Sequence, residues 1–318
     1  MKKIPILILG MSFFAYGIKQ YYNAVNYMFN VTLGRGNKMF FARCNDTSRE
    51  EQVIKADMDL HKPSLEKWET EVRQTGCYIK SLDNQPLYAK IFLQNSFTDS
   101  WAIVVHGYGG TGNMMYYAAK EFYEKGYNVV VPDLRGHGKS GGSYISMGWY
   151  DRLDLIQIIN AIVKGNNKAQ IALYGVSMGA ATVLMTGGEA LPDNVEAIVA
   201  DCSYDNIKNI FSYQIKKVFR LPSFPFINTM SKICKRRLGF SFKQASVEKQ
   251  LENCNIPVLF FHGEKDRLVP TNMVYKLYSA TKGYKELYVV KNAGHGVSSM
   301  VEHNKYWGRV FDFLAKQG

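Results

Sequence analysis

Ser177 stands in the run Gly175-Val176-Ser177-Met178-Gly179, between the apolar stretch Ile171-Ala172-Leu173-Tyr174 and the helix-forming stretch Ala180-Ala181-Thr182-Val183-Leu184-Met185. A strand, a sharp elbow and a helix in that order hold a serine oxygen above the end of a sheet. Glycine at 175 and 179 lets strand and helix approach closely. A serine hydroxyl is a poor nucleophile at neutral pH, so the chemistry needs a histidine to take its proton and a carboxylate to orient that histidine. His295, in Asn292-Ala293-Gly294-His295-Gly296 just after the last apolar run, suits the first role. His106 and His262 each close an apolar run before a glycine and read as packing or loop-bracing residues. His137 belongs to a turn, His303 to a helix surface, and His61 has no local context. For the acid, Asp266 follows the penultimate apolar run, with Asp201 and Glu264 as rivals that a neighbouring strand end would also place near the imidazole.

An oxyanion developing on a substrate needs preformed N–H donors. Met178, directly after the nucleophile, supplies one. His106-Gly107-Tyr108-Gly109-Gly110 after the first central strand supplies a glycine-rich loop, in which the Tyr108 backbone N–H is the second, its phenol assisting or lining an acyl pocket. This chemistry calls for no metal and no cofactor. The run Pro132-Asp133-Leu134-Arg135-Gly136-His137-Gly138-Lys139-Ser140 interleaves charges and glycines closely and reads as a hydrogen-bonded structural turn. Gly107-x-Gly109 lacks the Gly-Lys-Ser/Thr of a phosphate loop, which argues against nucleotide binding.

Short continuous apolar runs at 101–105, 128–132, 171–174, 197–200, 258–261 and 287–290 must position these residues. They alternate with helical patterns near 113–125, 150–164, 180–186, 273–281 and 301–315, the signature of a parallel sheet covered on both faces. Ahead of them, alternation at 77–92 around Asp83-Asn84 predicts an antiparallel hairpin at the sheet's opening edge. About fifty residues, 203–250, separate two strands that a short helix would connect, so a cap insertion is expected there, its helices broken at Pro222 and Pro225.

The chain has 318 residues, 47% hydrophobic and 21% charged, which fits one large globular domain rather than a disordered or multi-pass membrane protein. Its net charge of +12 is concentrated in the insertion, where ten Lys/Arg face two acids. No zinc-finger spacing, aromatic sheet motif or recognition helix accompanies that charge, so nucleic acid is not an expected partner. Lys232, Lys235, Arg236 and Arg237 instead suggest an anionic membrane surface, against the plainer reading of a solvated helix face. Five scattered cysteines (Cys44, Cys77, Cys202, Cys234, Cys254) indicate neither a disulfide framework nor a zinc site.

Lys2 and Lys3 precede an uncharged run, 4–18, which as a helix would cover about 22 Å, less than a hydrocarbon core of roughly 30 Å. It reads as a membrane anchor or signal segment over 1–20, with the catalytic domain extracytoplasmic, or secreted if the segment is cleaved; a buried N-terminal helix of a cytosolic protein is the alternative. A helical lead-in over 21–70, containing Phe40 and Phe41, then precedes the domain over 71–318.

From about Trp101 onward these motifs resemble the α/β-hydrolase superfamily, and within it membrane-anchored bacterial hydrolases related to the prolyl-oligopeptidase-like and carboxylesterase groups. The resemblance covers about two-thirds of the chain and rests on residues 106–110, 132–140, 175–179, 256–270 and 294–296. It implies an α/β-hydrolase fold, a mostly parallel doubly wound sheet with a helical cap, and esterase-type acyl transfer to water. The order Ser177, Asp266, His295 matches that fold. Haloalkane dehalogenase and epoxide hydrolase chemistry is excluded, since those relatives carry aspartate where this chain has Ser177. The expected substrate is a small-molecule or lipid-like ester. Peptidase, thioesterase and acyltransferase activities use the same triad, and a membrane-tethered binding module with a vestigial triad is the alternative from another class.

Overall fold

In a computed structural model of the chain, residues 4–36 and 48–317 are described. Cys44, Phe40 and Phe41 lie outside them, as do Lys2 and Lys3. Two long helices lead in, α1 (Ile4–Leu33) and α2 (Ser48–Glu71). Eight strands follow: β1 (Arg73–Lys80), β2 (Pro86–Leu93), β3 (Ser100–Val105), β4 (Asn128–Pro132), β5 (Gln170–Val176), β6 (Val195–Asp201), β7 (Val258–Gly263) and β8 (Lys285–Val290). They form one sheet in the order β1-β2-β4-β3-β5-β6-β7-β8, with β1, β2 and β4 joined antiparallel and the rest parallel. The hairpin and all six predicted central strands are present, and Asn84 turns the hairpin at a φ of 62°.

Successive side chains of a strand point to opposite faces, so a central strand that is apolar throughout buries both. On β5, Ile171 and Leu173 join one core, while Ala172 and Tyr174 join the other. The first core is covered by α4 (Asp151–Gly165), α5 (Met178–Gly187), α9 (Asn272–Ala280) and the insertion. The second is covered by α3 (Tyr116–Glu124), the short α10 (Ser298–Val301), α11 (His303–Ala315) and Trp68 of α2.

The insertion folds as α6 (Ile207–Gln214), a π-turn, α7 (Phe226–Leu238) and α8 (Val247–Leu251), with Pro222 and Pro225 in the break before α7 as expected. Its first helix rests on the loop after β7: Tyr213 donates to the Arg267 carbonyl at 2.9 Å, and Gln214 to that of Leu268.

The N-terminal run behaves differently from the expected anchor. It is the first half of a helix that continues without interruption to Leu33, and among the described residues no helix is long and apolar enough to cross a membrane. The second half of α1 is a docking helix. Val25, Phe29 and Leu33, spaced by four, are fully buried, as such spacing places them on one face. Tyr21 bonds Thr229 at 2.9 Å, and Arg237 reaches Asn26 and Asn30 at 2.7 Å each and lies over the Phe29 ring. Arg236 bonds the Tyr22 hydroxyl at 3.3 Å, and Lys235 caps α7 on the Gly239 carbonyl. Three of the four cap residues expected at a membrane surface therefore make contacts within the protein, two of them to α1.

Candidate active site

Ser177 sits between β5 and α5 at φ 59°, ψ −116°, a conformation that costs a non-glycine residue free energy and aims its side chain away from the sheet. Close packing enforces the elbow. A Cβ on Gly175 would lie 2.4 Å from the Gly179 carbonyl carbon, and one on Gly179 would lie 2.2 Å from the Val105 oxygen. The backbone N–H of Ser177 donates to the Asp201 carbonyl at 2.8 Å, tying the elbow to the end of β6.

His295 comes from the loop after β8. Its Nε2 is 2.8 Å from Ser177 Oγ, and its Nδ1 is 2.7 Å from Asp266 Oδ2. A carboxylate only accepts, so Nδ1 carries the hydrogen and Nε2 is left to accept from the serine hydroxyl. Asp266, from the loop after β7, is buried; its Oδ1 accepts from the backbone N–H of Leu268 at 2.9 Å and of Val269 at 2.8 Å. Burial alone would raise its pKa, but His295 and His262 beside it outweigh that and hold the carboxyl well below the usual range. Asp266 is therefore ionised at neutral pH.

The rivals are occupied elsewhere. Glu264 accepts from the Asn292 N–H at 3.0 Å, and Asp201 accepts from the Ser298 hydroxyl at 3.0 Å. Asp201 is 1% exposed, and burial lifts its pKa to about 6, against lowering by His262 and Ser298. A carboxyl raised on folding is held protonated between its unfolded value, about 3.9, and its folded one, so its contribution to stability falls as pH rises through that window. Replacing Asp201 with asparagine should accordingly gain about 2 to 3 kcal/mol relative to the parent between pH 4 and pH 7. Urea unfolding at the two pH values checks this, and a difference that does not change with pH contradicts it.

Met178 is the first residue of α5, and the earliest N–H groups of a helix have no acceptor within it. The loop carrying Tyr108 runs against Ser177: a Cβ on Gly107 would meet Ser177 Cβ at 3.4 Å. The Tyr108 phenol, expected to assist or to line an acyl pocket, instead donates to the Thr32 carbonyl of α1 at 2.5 Å. It braces the lead-in helix.

His106 and His137 act as braces between this loop and the turn at 132–140. His106 Nε2 accepts from the Leu134 N–H at 2.9 Å, and His137 Nε2 accepts from the Gly109 N–H at 3.1 Å. Burial lowers the His106 pKa to about 3, so it stays neutral. His303 pairs with Glu121 at 3.4 Å and stacks on His61, away from the site.

His262 does more than the bracing expected of it: besides meeting the Val269 carbonyl, it lies 3.2 Å from Asp266 Oδ2. Its spacing of four from Asp266 across a tight turn was the available signal. Among the described residues, only Cys202, Asp266 and His295 bring three potential metal ligands within 4.8 Å, and burial holds the Cys202 thiol well above its ordinary pKa. A cavity of about 620 Å³ between the hairpin and α4 is lined by none of Ser177, Asp266 and His295.

Residues 103–233 match a family model described as alpha/beta hydrolase fold, and residues 209–305 match one described as Serine hydrolase (FSH1). The chain is 31% identical over 194 residues to the uncharacterized protein YqkD of Bacillus subtilis, covering 61% of this chain and 64% of that one. It is 28% identical over 202 residues to the lysophosphatidylserine lipase ABHD12 of Macaca fascicularis, covering 60% of this chain and 48% of the lipase. It thus spans less than two-thirds of the length of either relative. Among solved structures, an esterase of Pyrococcus furiosus superposes with a TM-score of 0.65 at 24% identity, over 79% of this chain and 94% of the other, a likeness of fold.

Proposed function

Because this chain belongs to the α/β-hydrolase superfamily, we propose that it is a serine hydrolase of carboxylic esters that works through an acyl-enzyme. The observation that supports this most is the unbroken hydrogen-bond chain from Ser177 Oγ through His295 to Asp266. In this reading Ser177 Oγ attacks the ester carbonyl while His295 Nε2 takes its proton, and Asp266 holds the imidazolium that forms. The N–H groups of Met178 and Tyr108 receive the oxyanion. The imidazolium then protonates the leaving alcohol, and water repeats the sequence to free the acid and restore Ser177.

The cap supports a lipid-like ester presented at an anionic surface. Leu221 and Phe224 are exposed in the break before α7, Phe224 with 70% of its surface, and Lys216, Arg220 and Lys232 of the same insertion are exposed as well. Residues 15–20 of α1 are exposed as well, with Tyr16 and Ile18 among them. That combination suits attachment at a membrane interface, where each basic residue near anionic headgroups adds about 1 kcal/mol. The lipase among the relatives is named for a lysophospholipid, consistent with this class.

The test is a rate comparison of p-nitrophenyl esters, the matching anilide and a lysophospholipid, with and without anionic vesicles. The reading expects ester turnover far above anilide turnover, and a lysophospholipid rate that rises with anionic vesicles and falls in high salt or in a Lys216→Glu/Arg220→Glu/Lys232→Glu variant. Anilide cleaved as fast as ester would contradict the ester assignment, and indifference to vesicles would contradict the surface.

A further inference from the structure

β7 ends on His262 and Gly263, and the turn that follows brings Asp266 back against the imidazole. His262 is fully buried. Its Nε2 lies 2.9 Å from the Val269 carbonyl oxygen and 3.2 Å from Asp266 Oδ2. A carbonyl oxygen only accepts, so Nε2 carries a hydrogen and shares it between the two acceptors. Val269 closes the ring from its other end by donating its N–H to Asp266 Oδ1 at 2.8 Å. The carboxylate thus faces four donors: Leu268 and Val269 on one oxygen, His262 and His295 on the other.

We propose that His262 is a positioning residue for the reaction: its Nε2–H shares Asp266 Oδ2 with His295, fixes the carboxylate's orientation and limits how strongly that carboxylate holds the proton on His295. This rests on the reading of Ser177, His295 and Asp266 as the reacting triad. The charged and titratable groups around it are Asp266 in its own turn, Asp201 at the end of β6, Cys202 beside that, and His295 through the shared oxygen. Burial works against a charged imidazole at 262, and the Asp266 carboxylate outweighs it, so the group lies above the ordinary histidine pKa. Its Nδ1, buried with no hydrogen-bond partner, adds no competing constraint.

The direction of the effect does not depend on the charge of His262. Removing a neutral donor leaves Asp266 Oδ2 more basic, and removing a cation relieves repulsion of the His295 imidazolium. Both stabilise protonated His295 and move the acid limb of the kcat/KM profile to higher pH.

The experiment compares wild type, His262→Leu and His262→Gln on a p-nitrophenyl ester across pH, with the folded fraction measured for each. His262→Leu is expected to lower kcat by roughly tenfold to a hundredfold, the worth of a hydrogen bond to a charged group. KM should change little and the acid limb should move up. His262→Gln, which returns an amide N–H to the same place, should recover most of the rate. An unmoved limb in the leucine variant, or a glutamine variant as poor as leucine while equally folded, would overturn the proposal.

A second measurement holds even if the leucine variant fails to fold. In ¹⁵N-histidine-labelled full chain, the His262 Nε2–H resonance should lie downfield and shift upfield in Asp266→Asn; a resonance indifferent to that change overturns the proposal. A wild-type protein that turns over no ester but shows the downfield resonance and its shift would count against the hydrolase reading and support the His262–Asp266 clamp.

Discussion

Replacing His295 with alanine is expected to lower kcat for an activated ester by roughly 10⁴- to 10⁶-fold, as loss of the base does where serine, histidine and acid act as one unit. Ser177 Oγ has its 2.8 Å contact with His295 Nε2, and the other histidines are committed or distant: His106 and His137 brace the adjoining loop, His303 pairs with Glu121 and stacks on His61, and His262 faces Asp266. No second imidazole stands ready to take the proton. KM should stay near the parent value, because the imidazole acts on the transition state more than on bound ester. Stability should fall by no more than about 2 kcal/mol, since Asp266 keeps its two backbone donors and His262. Steady-state kinetics with urea unfolding of the same preparation separates the two effects, and a loss of less than about tenfold in kcat would assign the base elsewhere.

The second large effect is on the fold. A methyl group at Gly179 would meet the Val105 oxygen at 2.2 Å, the Val105 carbonyl carbon at 2.7 Å and the His106 oxygen at 2.8 Å. All three atoms are backbone, in β3 and the loop that follows it, so no side chain can swing aside. Gly179→Ala should therefore cost more than the roughly 1 to 3 kcal/mol of ordinary overpacking and abolish most soluble, folded protein. Gly308→Ala serves as the control. It sits in α11 with nothing within 4 Å of the added carbon, so the same substitution should raise stability by up to about 1 kcal/mol. Urea midpoints for the two variants test the pair, and a Gly179→Ala protein as stable as the parent would contradict the close packing of elbow and sheet.

What the sequence made legible was chiefly what local pattern controls. The parallel strands announce themselves because strands buried on both faces are apolar throughout, and Ser177, Asp266 and His295 each fall where such a run ends. The insertion showed as an interval too long for one crossover. Less legible was anything decided by distant packing. The uncharged run at 4–18 looks bounded by Lys19, yet the helix passes through it, because the Val25, Phe29 and Leu33 stripe that docks α1 is interleaved with Asn and Tyr residues that mask it. Arg236 and Arg237 read as free charges until Tyr22, Asn26 and Asn30 arrive from some two hundred residues away. The Tyr108 phenol was drawn toward the chemistry by its neighbours in sequence, whereas Thr32 claims it. His262 read as a brace because it closes an apolar run before Gly263, and its tie to Val269 is one; the shared oxygen of Asp266 is visible only in three dimensions.

In the proposed mechanism Ser177 is a nucleophile activated by His295. Intact-mass and peptide mass spectrometry after treatment with a fluorophosphonate probe tests it most directly. A single adduct on Ser177 is expected in the wild-type chain, strongly slowed in His295→Ala and absent in Ser177→Ala. Undiminished labelling of Ser177→Ala, or an adduct mapped to another residue in the wild type, would contradict the account.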